Sequence, residues 1–272
     1  MRRPAWGRRR RDSSRTDTAG SRLQYPEVRL VSDNDGNRVT LSSDAGLRTF
    51  ANLRDLGGLP LASGGVTMPN VLIRSDAPYP ADEDPAGVPW PPSTVVDLRN
   101  PTEIEPIAVT WPSGVRVVNR QVSSSARIDR LADTALIEIY SSVIRTGQHR
   151  LTAALNEFDS TGSTLVHCAA GKDRTGMVVA IALLLAGVEA DSVIADYQRT
   201  EDFIAGVFAR LRERRRIPAG TTLAAPILRT PREAIDLVID EVTGAPGGAW
   251  GWFEANGGDV RHFERWVAGF VG

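Results

Sequence analysis

The chain has one cysteine, Cys168, one lysine, Lys172, and three histidines among 272 residues. A lone cysteine excludes an intrachain disulfide framework. His149 and His262 have no metal-ligand spacing, so no metal and no other cofactor is expected. No apolar run approaches the roughly 18 residues that cross a bilayer. The longest, Met177 to Val188, contains Gly187 and reads as a buried helix. Net charge is also scarce, at -1, but it is unevenly spread. Residues 1–22 hold eight arginines and two aspartates, a charge of +6, which leaves -7 for residues 23–272. The first 22 residues are read as a disordered basic tail and residues 23–272 as a single domain. No apolar segment follows the arginines as in a secretory signal, so a cytoplasmic protein is expected, with export by another route left open. The folded domain is not expected to contact nucleic acid.

Strand and helix patterns alternate. Glu27–Val31 and Arg38–Leu41 flank a turn-rich hexapeptide and read as a hairpin. Short strands are expected at Val71–Arg74, Thr94–Leu98, Val115–Asn119 and Ser163–His167. Six prolines within 76–93 mark an irregular connection. Helical periodicity covers Arg127–Ile144, His149–Phe158, Asp191–Thr200 and Phe203–Arg215. Thr230 and Pro231 look like an N-cap and first-turn proline before Arg232–Val242, and Val260–Phe270 is the final helix. The pattern predicts an α/β fold, a central sheet flanked by helices. A helical insertion over 199–230 is placed to cover a site.

The only lysine and the only cysteine lie four positions apart in His167-Cys168-Ala169-Ala170-Gly171-Lys172-Asp173-Arg174-Thr175-Gly176, while every other basic side chain that is not histidine is one of 31 arginines. This segment joins a buried strand to an apolar helix. Small residues at 169–171 allow tight curvature, so successive backbone N–H groups can face inward and bind an anion. The same field favours a thiolate at Cys168, the nucleophilic form of a cysteine. Arg174 brings a planar fork that grips two oxygens of one oxyanion, which lysine cannot do. Thr175 can donate its hydroxyl to the sulfur, and Ala169, Ala170, Gly171, Lys172, Thr175 and Gly176 form the phosphate-binding set.

Cys168-x5-Arg174-Thr175 after His167 resembles the signature of the protein tyrosine phosphatase superfamily. Gly171-Lys172-Asp173 narrows the likeness to a bacterial branch with mycobacterial and Listeria members. Asn52-Leu53-Arg54-Asp55-Leu56-Gly57-Gly58, Leu72-Ile73-Arg74-Ser75 and Val193-Ile194-Ala195-Asp196-Tyr197 resemble further motifs of that branch. The resemblance spans residues 48–272. It implies a phosphatase fold and hydrolysis of phosphotyrosine, with phosphoserine, phosphothreonine or phosphoinositides as further substrates and no metal. A phosphoinositide phosphatase and a phosphate-binding module without turnover stand as alternatives.

Cys168 and Arg174 are the catalytic candidates. Asp173 is read both as proton donor to the leaving group and as N-cap of the following helix. The branch's acid after the strand at 115–119 has no counterpart in Arg120-Gln121-Val122-Ser123, which leaves Asp129 and Asp133 as substitutes. His167 is a supporting residue that bonds the loop backbone. Arg54 and Asp55 are supporting residues too, as a salt bridge that pins the loop or as a turn. Asp97 and Arg99 fix strand and helix ends. Arg210, Arg212, Arg214, Arg215 and Arg216 read as a solvated helix face, or as a contact to acidic lipid or substrate.

Overall fold

The computed structural model describes residues 29–32, 38–42, 48–80, 82–104, 109–123, 133–214, 223–224 and 228–272. The basic tail and Asp129 lie outside the described residues. The expected hairpin is present as β1 (Arg29–Ser32) and β2 (Arg38–Ser42), paired antiparallel. Five strands make the central sheet: β3 (Arg54–Asp55), β4 (Leu72–Ser75), β5 (Thr94–Asp97), β6 (Arg116–Asn119) and β7 (Thr164–His167). Their order is β3-β4-β7-β5-β6, parallel except for β3. A two-residue strand, β8 (Leu223–Ala224), joins β2 in a second, three-stranded sheet. It was not expected, because two residues carry no periodicity.

β4, β5 and β7 are buried throughout, so their adjacent apolar pairs Leu72-Ile73, Val95-Val96 and Leu165-Val166 cover both faces of the sheet, and their polar residues are buried with them. Leu72, Val96 and Val166 face a core built with the helices. Ile73, Val95 and Leu165 face the other side, against Phe50 and Leu53 with Trp90 and Trp111 beyond them. The helices are α1 (Pro101–Ile104), α2 (Asp133–Thr146), α3 (Gln148–Leu155), α4 (Asp173–Leu185), α5 (Ala190–Gln198), α6 (Ile204–Glu213), α7 (Arg232–Thr243), α8 (Gly248–Ala255) and α9 (Val260–Val271). A short 3-10 turn, Arg199–Phe203, links α5 to α6. Met177 to Leu183 are all buried, as a helix apolar on every face must be.

One reading is corrected. The residue preceding α7 as its N-cap is Pro231, not Thr230. Thr230 instead turns its hydroxyl to Gln198 O and the Glu201 carboxylate. The Gly- and Trp-rich stretch before the last helix itself contains α8, whose Trp252 and Phe253 are buried. Aromatic contacts outweigh the poor helix propensity of its glycines. Phe253, Phe263, Trp266 and Phe270 stack with Phe158 into one apolar block; the Phe263 and Trp266 rings are 4.8 Å apart and those of Trp266 and Phe270 4.9 Å. Burial of each such side chain stabilises the fold by about 1.5–3 kcal/mol.

Ser75, His167 and Asp97 are register partners at the carboxyl ends of β4, β7 and β5. Open parallel sheets bind ligands beyond that edge. The loop from Cys168 to Lys172 starts there and feeds α4.

Candidate active site

Cys168 directly follows the central strand β7 and is 2% exposed. After it, four successive carbonyls are taken by donors outside the loop. Cys168 O lies 3.2 Å from His167 Nδ1, a bond that uses the Nδ1–H tautomer. Ala77 N donates to Ala169 O at 3.1 Å. Asn52 Nδ2 donates to Ala170 O and Gly171 O, both at 3.1 Å, and Arg74 Nη2 donates to Gly171 O at 2.7 Å. In a planar trans peptide the N–H points opposite to the C=O. Holding the carbonyls of 168–171 from one side therefore turns the N–H groups of 169–172 to the other. The N–H groups of Ala169, Ala170 and Gly171 have no acceptor among the described residues. Such a run of N–H groups at the head of a helix is suited to bind an oxyanion.

Glycine is required at two points of this turn. Gly171 has φ +66°, and a Cβ there would lie 2.3 Å from Ser75 O. The loop thus abuts the end of β4. A Cβ on Gly176 would lie 2.9 Å from the Tyr197 ring, so α4 and α5 approach closely just behind the loop.

Arg174 makes a two-pronged pair with Glu103, Nη1 to Oε2 at 2.6 Å and Nη2 to Oε1 at 2.9 Å. Glu103 also accepts from Asn100 N at 2.8 Å, while Asn100 Oδ1 accepts from Thr102 N. Asn100 and Glu103 are a capping box around α1. One carboxylate thus closes a helix end and fixes the plane of the guanidinium. Thr175 Oγ1 is buried with no hydrogen-bond partner among the described residues. Lys172 Nζ donates to Arg229 O at 2.9 Å.

Asp173 is the first residue of α4, and Lys172 holds the N-cap position. The N-cap reading of Asp173 is therefore corrected. Its Oδ1 accepts from Tyr140 Oη at 3.1 Å and lies 3.8 Å from Lys172 Nζ. Burial first, then the Asp173 charge, pushes the Tyr140 phenol upward, so it remains a donor. Asp133 opens α2; nothing is described of its side chain.

Arg54 and Asp55 do not form the salt bridge considered for them. Asp55 closes a turn, accepting from Gly57 N and Asn70 N. Arg54 reaches Asp196 of α5, Nε to Oδ1 at 2.7 Å, and donates from Nη1 to Asn52 Oδ1. Arg74 binds the other oxygen of Asp196. Burial, then the neighbouring Arg74, lowers Arg54 to about 10. Burial raises the Asp196 carboxyl, but Arg74 and Arg54 outweigh it and hold it below its ordinary range.

His167 is buried between the loop and Asp97, its Nε2 3.9 Å from Asp97 Oδ2. Burial lowers it to about 4 against the pull of Asp97, so the ring is neutral near pH 7. Asp97 is clamped by Arg99 through Nε and Nη2.

The solvated-face reading fails for Arg210, which is 1% exposed. It donates to Asp76 Oδ2 at 2.7 Å and Asp82 Oδ2 at 2.8 Å and stacks on Phe50 and Tyr79. Ion pairs with Asp76 and Asp82 raise its affinity for its proton above the ordinary arginine value, against the cost of burial. Ile204, Val207, Phe208 and Leu211 of α6 pack with Ala51 and against Ala169 and Ala170 of the loop. Arg215 and Arg216 lie outside the described residues.

Asn52, Arg74 and Asp196 stand in the motifs quoted for the resemblance but were given no role, and Asp76, Glu103 and Tyr140 were not among the candidates. Arg74 had a readable signal, a charge inside a strand otherwise fit for burial. Among the described residues no group of three His, Cys, Asp or Glu side chains is placed to hold a metal ion, and no helix is long and apolar enough to cross a membrane.

Residues 45–270 match the tyrosine phosphatase family. A Cupriavidus necator protein provisionally named a tyrosine-protein phosphatase is 26% identical over 230 residues, 76% of this chain and 80% of that protein. The triple specificity protein phosphatase PtpB of Mycobacterium tuberculosis is 49% identical over 49 residues, 18% of each chain.

Proposed function

This chain belongs to the tyrosine phosphatase family, and we propose that it hydrolyses phosphotyrosine through a phosphocysteine at Cys168. The observation that carries this reading is the tethering of the carbonyls of 168–171, which leaves the N–H groups of Ala169, Ala170 and Gly171 to receive a phosphoryl group beside the sulfur. The thiolate of Cys168 attacks phosphorus as the bond from phosphorus to the phenolic oxygen breaks. Arg174, aligned by Glu103, grips two of the equatorial oxygens as the phosphoryl group flattens. Asp173 gives a proton to the departing phenolate. Water then attacks phosphorus and gives a proton to the Asp173 carboxylate, the S–P bond breaks with its electron pair going to the sulfur, and inorganic phosphate leaves. Thr175 donates to the sulfur as it regains its charge, a role that fits its buried hydroxyl without a partner among the described residues. The span 199–230 is read as a cover, supported by the packing of α6 on Ala169 and Ala170. Phosphoserine, phosphothreonine and phosphoinositides are the wider substrate set to examine, and the name of the mycobacterial relative favours a panel over one substrate.

The test measures phosphate release from phosphotyrosine and phosphoserine peptides and phosphoinositide vesicles, in chelator, for wild type, Cys168→Ser and Asp173→Asn. Wild type is expected to act on the phosphotyrosine peptide, and Cys168→Ser to bind it without turnover. Asp173→Asn is expected to lose more activity on tyrosine phosphate, whose phenol has a pKa of about 10, than on aryl phosphates with acidic phenols. Turnover by Cys168→Ser, or activity that needs added metal, contradicts the mechanism. Equal losses on both leaving groups remove Asp173 from the proton-donor role.

A further inference from the structure

We infer that Asn52 and Arg74 are positioning residues for the reaction, set in place by Asp196, and that this buried group aims the N–H donors of the cradle at the phosphoryl oxygens. The inference rests on the phosphatase reading above and names residues outside the loop that make it work.

The N–H of Gly171 is aimed by whatever holds Ala170 O, and the N–H of Lys172 by whatever holds Gly171 O, because each pair shares one planar trans peptide. Three side-chain contacts from two residues hold those carbonyls: two from Asn52 Nδ2 and one from Arg74 Nη2. Asn52 is itself oriented. Its Oδ1 accepts from Arg54 Nη1, which fixes the amide so that Nδ2 faces the loop, and its backbone N donates to Asp76 Oδ1. Both arginines converge on one carboxylate, Arg54 on Oδ1 and Arg74 on Oδ2 of Asp196, and Arg54 Nη2 also reaches Asp196 O. The hierarchy is short: Asp196 orients Arg54 and Arg74, Arg54 orients Asn52, and Asn52 and Arg74 orient two peptides of the cradle.

A purely structural role explains this group poorly. Arg54, Arg74 and Asp196 are all buried. Buried ion pairs contribute little net stability compared with apolar residues of the same volume. Two arginines against one carboxylate also leave one net positive charge immediately behind a loop read as binding a dianion. The charge adds to the field of the N–H groups without occupying the space of the substrate. Gly171 permits the arrangement, since any side chain there would collide with the end of β4 and push the loop off Arg74.

The experiment uses the full chain with substitutions Asn52→Ala, Arg74→Lys and Asp196→Asn. Val238→Ala, in the apolar core of α7, serves as a control for lost stability. Three quantities are measured: Tm, kcat and KM on a phosphotyrosine peptide, and the affinity of inorganic phosphate for each variant carrying Cys168→Ser, by calorimetry. Misaimed donors should lower kcat by about ten- to a hundredfold and weaken inorganic phosphate in parallel. Arg74→Lys, which keeps the charge but cannot span Asp196 and Gly171 O, should fall in kcat as well. Val238→Ala should lower Tm and leave both other readouts in place. The inference is overturned if Asn52→Ala and Asp196→Asn lower Tm while kcat and phosphate affinity match wild type. Should Asn52→Ala fail to fold, Arg74→Lys and Asp196→Asn decide the matter by the same comparison. If wild type itself releases no phosphate from the peptide, the phosphatase reading fails, and the phosphate-affinity arm still tests the positioning.

Discussion

The surroundings of the loop at 168–172 and the aromatic block of α8 and α9 show two ways of filling a protein interior. Around the loop at 168–172 many buried side chains are charged: Arg54, Arg74, Asp76, Asp97, Arg99, Glu103, Arg174, Asp196 and Arg210 are all at or below 9% exposure. In the block formed by Phe158, α8 and α9 the buried side chains are aromatic and the contacts non-directional. An apolar block tolerates small shifts at modest cost. A network of paired charges has one good geometry, and losing a partner leaves an unpaired charge in a poor solvent. The aromatic block contributes apolar burial, and the paired charges around the loop fix its geometry.

Substitutions in the two regions should therefore separate activity from stability. The largest effect is expected at Arg174→Lys, which replaces a fork aligned by Glu103 with a point charge. Turnover should fall by roughly a hundred- to a thousandfold, mostly in kcat, with the protein still folded. A loss confined to KM would show that Arg174 only binds substrate. Phe263→Ala should do the reverse. Emptying its place among Phe158, Phe253 and Trp266 should cost about 3–5 kcal/mol in denaturant unfolding, while kcat per folded molecule holds. A fall in kcat of the folded fraction would show that the two regions are coupled.

A smaller effect joins stability to the loop through His167. Its folded value, about 4, lies below the ordinary 6.5, with burial as the main cause. The unfolded chain takes up this proton first. The contribution is fully present above pH 6.5 and is lost as pH falls from 6.5 toward 4, amounting to at most about 3 kcal/mol. His167→Asn should flatten that slope when unfolding is compared with wild type across this window. Asp196, held below 3.8 mainly because Arg74 and Arg54 outweigh burial, adds its own loss only at more acid pH. An unchanged slope in His167→Asn would show that the ring is already charged in the native state.

Much of this was readable before the structure. The strand, tight loop and apolar helix of 163–186 announce themselves by composition, because small residues and a cysteine between two buried elements leave few alternatives. What supports the loop was hidden for a physical reason. Glu103 reads as half of a capping box and Asp196 as one polar residue of a helix, and neither pattern tells which distant arginine will meet it. Arg210 looked solvated because its neighbours Arg214, Arg215 and Arg216 are basic too. Its burial depends on Asp76 and Asp82, more than a hundred residues earlier in the chain. Local periodicity reports elements, while pairing between buried charges is decided by how those elements meet.

The most direct test of the central claim is to quench the wild-type enzyme in acid during turnover of an excess of a fast aryl phosphate and to map its phosphorylated peptides by mass spectrometry. The account predicts one added phosphoryl group, on Cys168, which disappears on chasing with water after substrate is exhausted and never forms in Cys168→Ser. A phosphoryl group on another residue, or its appearance in Cys168→Ser, would contradict it.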